Sequence, residues 1–441
     1  MRRFKTVSHL MGWGLLLLWL VVLMLWGISR TMGPTDEELA ARDLLTIAEP
    51  ASGINGLDLF NEMLDASDHE GAEVIAAEDA QHFCSASRPD CVARVRSEPD
   101  RYRDLIDRYS ALIEQAERLA TADHLTMGFV PGEMLSLKEL RLAELPATAQ
   151  AARFVAGDID GAMDAACKQA TAWIRLSERS NQRAAGFMAG YFATGLYGRL
   201  VTEFLAELPP GHPLPDRCDA LGQPPVQASQ KLCNIVRGEY RMLAATLEDL
   251  ENTQREVAAA ERSWPFGTIT GFRADAILDM AAPYYSQWCE PDMLAAIEAD
   301  DPSPPRRDPP SMWQLRCLSN HTGCLVMDVM TSDFGAPHVF KLQQRARRHA
   351  LAVVLWLHRH PQAMAGESLD LPDELIHPRH QLMTEDGKPY LAVRRHSDDC
   401  EDRPWRLPLP GSAKGQAVPS EKSNGSAFTA GNHQISGCSG Q

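Results

Sequence analysis

The chain has 441 residues and a net charge of −16, with 43 Lys and Arg against 59 Asp and Glu. An acidic surface repels phosphate backbones, so nucleic acid is not expected as a partner. The sequence contains no GxSxG, HExxH or GxxxxGK[ST] motif. The sequence therefore predicts the topology and the compartment of the protein. It predicts neither a cofactor nor a metal ion. An enzyme is disfavoured and catalytic residues stay unassigned.

The first thirty residues predict a membrane anchor. Three basic side chains lie among the first five residues, and an uncharged apolar run follows over residues 10–28. As a helix, that run reaches roughly 28 Å, close to the ~30 Å hydrocarbon core. Three basic residues precede the run and only Arg30 follows it before the acidic residues 36–38, so the N-terminus is predicted to be cytoplasmic. We expect a single-pass protein of the bacterial inner membrane with residues 31–441 in the periplasm; a cleaved signal peptide is the alternative.

The cysteines support an exported domain. Ten are present, an even number, and no CxxC pair is found among them. Cys84 and Cys91 have the same spacing as Cys317 and Cys324, so each pair is predicted to form a local disulfide. The alternative is that several cysteines are buried as small apolar residues. The pairing of the others does not follow from the sequence.

Residues 35 to about 360 are predicted to be mainly helical. Thr35 precedes three acidic residues, which is typical of a capped helix start. Apolar residues recur at helical spacing after Pro99. Fifteen uncharged residues, 184–198, predict a buried helix in which Gly186 and Gly190 allow close backbone approach. Further helices are predicted over 136–156, 160–180, 181–208 and 226–260.

The stretch RFVAGDIDGAMDAAC, residues 153–167, predicts a turn between two packed helices. A calcium loop is excluded because neither register supplies the required oxygen ligands. Gly157 is suited to end the first helix, Asp158 and Asp160 to form the turn and cap, and Ala162 to allow close packing.

This pattern resembles the turn of a tetratricopeptide repeat over residues 136–180, although Ile159 replaces the usual aromatic residue and no second copy lies 34 residues away.

Three longer stretches carry a wider resemblance. They are YRDLIDRYSALIEQAERL, AARFVAGDIDGAMDAACKQATAWIRL and GEYRML. Together they resemble a family of membrane-anchored proteobacterial proteins with no assigned function. The resemblance implies the topology described above and nothing about activity.

The C-terminal part is predicted to be a smaller subdomain. Five prolines in residues 300–310 predict a linker, which separates a helical domain at 31–299 from a subdomain at 311–409. Asp386 and Gly387 predict a β-hairpin turn. The Gly- and Ser-rich residues 410–441 predict a disordered tail. The predicted class is therefore mainly α: an N-terminal transmembrane helix is followed by antiparallel helical hairpins, for which a solenoid-like stack is one arrangement, and by a small C-terminal β-hairpin.

Histidines offer a candidate metal site that the sequence does not complete. His377 and His380 are close in sequence, and the predicted hairpin brings His396 near them. A zinc site needs further defined ligands, so surface or structural histidines are the preferred interpretation.

A basic cluster stands out in the acidic chain. Its members are Lys341, Arg345, Arg347 and Arg348, with Arg359 beyond them. One interpretation is contact with anionic headgroups or an acidic partner; the other is a solvated helix face that pairs with internal carboxylates.

Two functions are carried forward. The first is a membrane-anchored interaction or scaffold protein that holds an envelope partner in a groove between helix pairs. The alternative is an extracytoplasmic hydrolase whose site is discontinuous in sequence. Candidate residues for the hydrolase are identified by residue type alone: His321, Asp328, His338, and Ser319 or Ser332.

Overall fold

The computed structural model describes most of the chain. The described residues are 2–46, 52–68, 75–88, 90–126, 139–224, 229–261, 272–303, 307–311, 313–330, 335–364, 370–385, 388–396 and 404–412. They confirm the predicted class, because the chain is mainly helical with one N-terminal apolar helix and a small antiparallel sheet near the C-terminus.

The helices are numbered in chain order. The first eight are α1 Arg2–Thr31, α2 Asp36–Thr46, α3 Gly56–Asp68, α4 Ala77–Ala80, α5 Cys91–Ser97, α6 Pro99–Arg108, α7 Ser110–Arg118 and α8 Leu145–Val155. The other eight are α9 Ile159–Glu178, α10 Arg183–Gly190, α11 Arg199–Glu207, α12 Ser229–Glu261, α13 Ala274–Ser286, α14 Pro291–Glu298, α15 His321–Met330 and α16 Gly335–Arg359.

Helix α1 has the dimensions of a membrane span. Its segment Met11–Thr31 has a mean hydropathy of 2.2, and its apolar side chains from Met11 to Met24 are exposed, whereas Ser29 near its end is buried. Helix α2 then starts with a capping box, in which the Glu38 amide donates to Thr35 Oγ1 (3.2 Å) and the Thr35 amide donates to Glu38 Oε2 (2.7 Å). The predicted capped start is therefore present.

Two hydrophobic clusters organise the helices. The first combines α3 and α5 to α11 with α16 and the sheet, and it includes Phe60, Phe204 and Leu351. The second combines α2, α12, α13 and α15 around Tyr240 and Trp288. Residues from both sides of the predicted linker share the first cluster. The division into domains at 300–310 stays a prediction.

The α8–α9 hairpin has the turn expected from its sequence. Gly157 has a φ of +98°, a conformation that disfavours residues with a Cβ. Asp158 caps α9 by accepting a hydrogen bond from the Gly161 amide at 3.1 Å. Ala162 is fully buried, whereas the Asp160 side chain is exposed. The resemblance to a tetratricopeptide repeat remains an expectation.

One predicted helix is broken in two. The periodic pattern after Pro99 forms α6 and α7, which are separated at Tyr109. The hydroxyl of Tyr109 donates to Asp79 and accepts from the Ala76 amide, so this residue is tied to the preceding loop. Those tertiary bonds override the continuous helical periodicity.

Helices α10 and α11 are joined by a π-helical segment, Tyr191–Gly198, so the backbone runs as one helix from 183 to 207. The wider turn matches a run of small residues that packs closely against neighbours. The predicted buried helix over 184–198 is thus present with an altered winding.

Four disulfides join the described cysteines. Both predicted local pairs are at bonding distance, Cys84 with Cys91 and Cys317 with Cys324. Two longer-range pairs were not expected, Cys167 with Cys218 and Cys233 with Cys289. The other two cysteines of the sequence, 400 and 438, lie outside the described residues. Such pairing fits an oxidising compartment.

The sheet has three antiparallel strands in the order β1 His380–Glu385, β2 Lys388–Val393 and β3 Trp405–Pro408. The predicted hairpin is β1–β2, and its turn residues Asp386 and Gly387 lie outside the described residues. Strand β3 was not predicted, because four residues beside prolines carry little strand signal. Residues 410–412 still pack against the domain, where the Gly411 amide donates to Leu205 O. The remainder of the predicted tail lies outside the described residues.

Candidate functional site

A small groove lies where the C-terminal end of α9, the α10–π junction and α16 meet. It has a volume of about 40 Å³, and its wall includes Ser177, Glu178, Gly190, Lys341, Gln344 and Arg348. That volume exceeds what one water molecule needs. The groove has room for a small polar group such as a carboxylate.

Helix periodicity places the basic side chains on the groove. Lys341, Arg345 and Arg348 are separated by four and three residues, so they share one face of α16. Arg347 points elsewhere, with its guanidinium 5.3 Å from the centre of the Trp405 ring. Burial is the main reason that the pKa of Arg347 falls to about 10. The predicted basic cluster is therefore divided between the groove and the sheet.

Each groove cation also has a contact within the protein. Lys341 Nζ donates to the carbonyl and hydroxyl oxygens of Ser177, both at 3.3 Å. Arg348 forms an ion pair of 2.6 Å with Glu178. Arg345 donates to the carbonyl oxygens of Ile297 and Glu298 at 2.7 and 3.0 Å. These contacts hold the three cations in place around the groove.

Two buried donors of the groove lack an acceptor among the described residues. They are the side-chain nitrogen Nε2 of Gln344 and the Nε of Arg345. Leaving a buried donor unpaired costs about 1–3 kcal/mol. Gln344 approaches the backbone so closely at Gly190 that an added Cβ there would lie 1.4 Å from Nε2. Glycine at 190 therefore allows the amide to occupy its position in the groove.

Among the described residues, the wall of the groove has more basic than acidic side chains. It contains three basic side chains and one carboxylate, Glu178. Half-buried positive charges attract anions more strongly than exposed ones, because water screens them less. A carboxylate entering the groove would meet both positive charge and unpaired donors.

A second polar cluster lies beside the groove, between α16 and the sheet. The ring of His377 is 5.1 Å from that of His349 and 4.9 Å from that of His380, measured between centroids. His377 and His380 are stacked, with 27° between the ring planes. No set of three His, Cys, Asp or Glu in the described part of the chain is arranged to hold a metal ion. We therefore describe it as the histidine cluster and assign it no metal.

Burial keeps these histidines neutral. Desolvation is the first cause that lowers the pKa of His349 to about 4 and that of His377 to about 3, with the neighbouring His380 a further cause. The pKa of His380 is also lowered, chiefly by burial. His380 Nε2 donates to the Ala346 carbonyl oxygen at 3.0 Å. The rings thus pack as neutral polar groups near neutral pH.

Asp300 connects the histidine cluster to the sheet. Its carboxylate accepts hydrogen bonds from His396 Nε2 at 2.6 Å and Arg379 Nε at 2.7 Å. Burial raises the pKa of Asp300, but these two partners outweigh burial and leave the pKa below its ordinary value. The His396 side chain is fully buried, and the Asp300 side chain is 10% exposed.

The structure does not bring the residues proposed for a hydrolase into one visible site. His338 is buried on α16 and its Nε2 donates to the Asp301 carbonyl oxygen, whereas His321 and Asp328 are exposed on α15. Ser319 is hydrogen-bonded to Ser29, and Ser332 lies outside the described residues. The predicted disulfides and the Gly157 turn lie in other parts of the fold.

Sequence reasoning missed part of both clusters. Gln344 and Gly190 carry no chemical signature, and Ser177 is far from α16 in the chain. His349 adjoins the apolar run of α16, where it reads as an ordinary core residue. Two consecutive glutamines at 343–344 in a predicted buried helix were the available signal for a polar site, because buried amides need hydrogen-bond partners.

No protein-family model matches this chain, and no curated protein or solved structure matches it either. The resemblance to membrane-anchored proteobacterial proteins therefore remains an expectation from the sequence.

Proposed function

We propose that this protein is a membrane-anchored interaction protein of the bacterial envelope, which binds an acidic group of a partner in the α9–α16 groove. The single observation that carries the proposal is that, among the described residues, basic side chains outnumber carboxylates in the groove wall and the Gln344 amide has no acceptor. A carboxylate of the partner would supply that acceptor and balance the charge. In this proposal the N-terminus is cytoplasmic and the domain is periplasmic.

The remainder of the chain suits this role. An acidic surface disfavours non-specific binding of anionic partners, so only a local basic groove would retain one. Helix α1 would keep the domain at the inner membrane, and the four disulfides suit an exported domain. The groove between helix pairs is the place where we expected a partner.

The alternative, an extracytoplasmic hydrolase, has less support. Its best feature is the close contact between His396 and Asp300. A general base must reach the substrate, and the His396 side chain is fully buried. We therefore favour binding over catalysis.

The test uses the full chain in lipid nanodiscs and a dansyl-labelled Gly-Gly-Glu-Glu peptide. We expect the dansyl anisotropy to report binding, and Lys341→Gln to weaken it about tenfold, or ~1.4 kcal/mol. The exposed Lys168 lies on α9 away from the groove, so Lys168→Gln is the matched control. A Gly-Gly-Gln-Gln amide should not bind. Equal affinity of wild type and Lys341→Gln, with both folded, would contradict the proposal.

A further inference from the structure

Several large apolar side chains are exposed on the segment that adjoins the end of α1. Trp313 is 87% exposed and Val329 is 78% exposed. The others are Leu315, Leu318 and Leu325. Neighbouring exposed apolar residues of this size mark an interaction surface rather than ordinary variation.

A disulfide holds these side chains together. Cys317 and Cys324 are bonded, with their Cα atoms 5.7 Å apart. Leu318 and Leu325 each follow one of these cysteines directly. Leu325 and Val329 are four residues apart, so they lie on one face of α15. We call residues 313–329 the apolar hairpin.

The apolar hairpin is joined to the end of the membrane helix. Ser29 is buried, and its hydroxyl donates to the Arg316 carbonyl oxygen at 3.1 Å. The Ser319 amide donates to the same hydroxyl at 3.0 Å. The charge of Arg316 is paired with Glu38 at 2.7 Å, so it does not oppose proximity to lipid.

Side chains on α1 show where the membrane surface lies. The Arg30 guanidinium is 5.2 Å from the centre of the Trp26 ring, and both residue types favour the interface. Ile28 and Met32 are exposed at the same end of the helix. In a membrane spanned by α1, the turn at 315–319 would contact the helix where headgroups meet acyl chains.

We infer that the apolar hairpin is a second membrane contact, which rests in the outward-facing lipid surface beside α1. The inference rests on the proposed membrane anchoring of α1. Lipid is favoured over a protein partner because the apolar hairpin is hydrogen-bonded to the end of the span at Ser29. Two contacts would fix the tilt of the domain, whereas one helix alone would leave it free to swing.

The full chain is reconstituted in phosphatidylcholine–phosphatidylglycerol vesicles that contain a phospholipid with a diazirine in its acyl chain. After illumination, lipid adducts are mapped by mass spectrometry. We expect adducts in α1 and in the peptide that contains Trp313. Trp313→Ser combined with Val329→Ser should lower the second yield at least threefold without changing the first. Leu382→Ser, at an exposed leucine of β1, is the matched control.

Adducts in α1 with none in 313–329 above the level at Leu382 would overturn the inference and leave the anchor intact. Absence of adducts from both segments would overturn the anchor and the inference together. Peptide binding by the nanodisc sample separately reports whether the groove functions.

Discussion

Two polar clusters lie side by side on α16 and differ in how their charges are balanced. The described wall of the α9–α16 groove contains three basic side chains and one carboxylate, Glu178, which pairs with Arg348. The Gln344 amide nitrogen there has no acceptor among the described residues. In the histidine cluster, the rings are neutral and Asp300 is bonded to both Arg379 and His396. The first arrangement suits a ligand and the second holds the sheet on the helix.

The largest expected effect is a loss of folding stability when Asp300, next to the histidine cluster, is replaced. Asp300→Ala removes the carboxylate that balances Arg379 and His396, and breaking a buried pair in this way costs about 3–5 kcal/mol. Denaturant unfolding of the full chain in detergent should detect the loss. Asp300 has a φ of +58°, which asparagine tolerates, so Asp300→Asn should cost less. A neutral effect of Asp300→Ala would show that the sheet is held in another way.

The second largest loss of stability is expected from acidification, which acts on the histidine cluster. The pKa values of His349 and His377 are lowered to about 4 and about 3, so the unfolded chain takes up protons first as pH falls. The two neutral histidines therefore contribute to the free energy of unfolding above about pH 6.5, the ordinary histidine pKa. Below that pH the contribution falls by ~1.4 kcal/mol per histidine per pH unit.

Between pH 7.5 and 5.5 we expect a loss of about 2–3 kcal/mol from this pair. Unfolding free energies at both pH values measure it, and His349→Gln should flatten the dependence. If His349→Gln left the slope unchanged, the cluster would not be its source.

The α8–α9 hairpin gives the next effect, because α9 carries Ser177 and Glu178 of the groove. Gly157→Val should cost about 1–2 kcal/mol, since a residue with a Cβ is strained at a φ of +98°. Asp160→Asn should change stability by less than about 0.5 kcal/mol, because that side chain is exposed. Thermal unfolding measures the stability of the two variants. Equal losses of stability would contradict the roles assigned to Gly157 in the turn and to Asp160 at the surface.

A substitution in the groove itself should change binding more than stability. Gly190→Ala adds a Cβ at the position that the Gln344 side-chain amide occupies. The amide must therefore move out of the groove. A helical alanine offsets part of the cost, so stability should change by less than about 1 kcal/mol. Binding of the dansyl peptide should nevertheless weaken at least fivefold. A variant that keeps full affinity would exclude Gln344 from the site.

The parts that the sequence predicted depend on short-range patterns. The apolar run of α1, the turn at Gly157 and the cysteine pairs with seven-residue separation are all local signals. Cys167 with Cys218 and Cys233 with Cys289 are separated by 51 and 56 residues, so only the fold brings them together.

The groove itself was not predicted. Lys341, Arg345, Arg347 and Arg348 were recognised in the sequence as a basic cluster, and both an anionic partner and pairing with internal carboxylates stayed open. Their neighbours Ser177 and Gly190 come from distant segments, so no periodicity connected them with α16. The break at Tyr109 was missed because tertiary hydrogen bonds decided it.

Hydrogen exchange of the full chain in nanodiscs, with and without the dansyl-Gly-Gly-Glu-Glu peptide, tests the central claim most directly. The account predicts slower exchange in peptides covering residues 174–178, 190–194 and 341–348, with no change over 377–396. Protection confined to the histidine cluster and sheet, or unchanged exchange at saturating peptide, would contradict it.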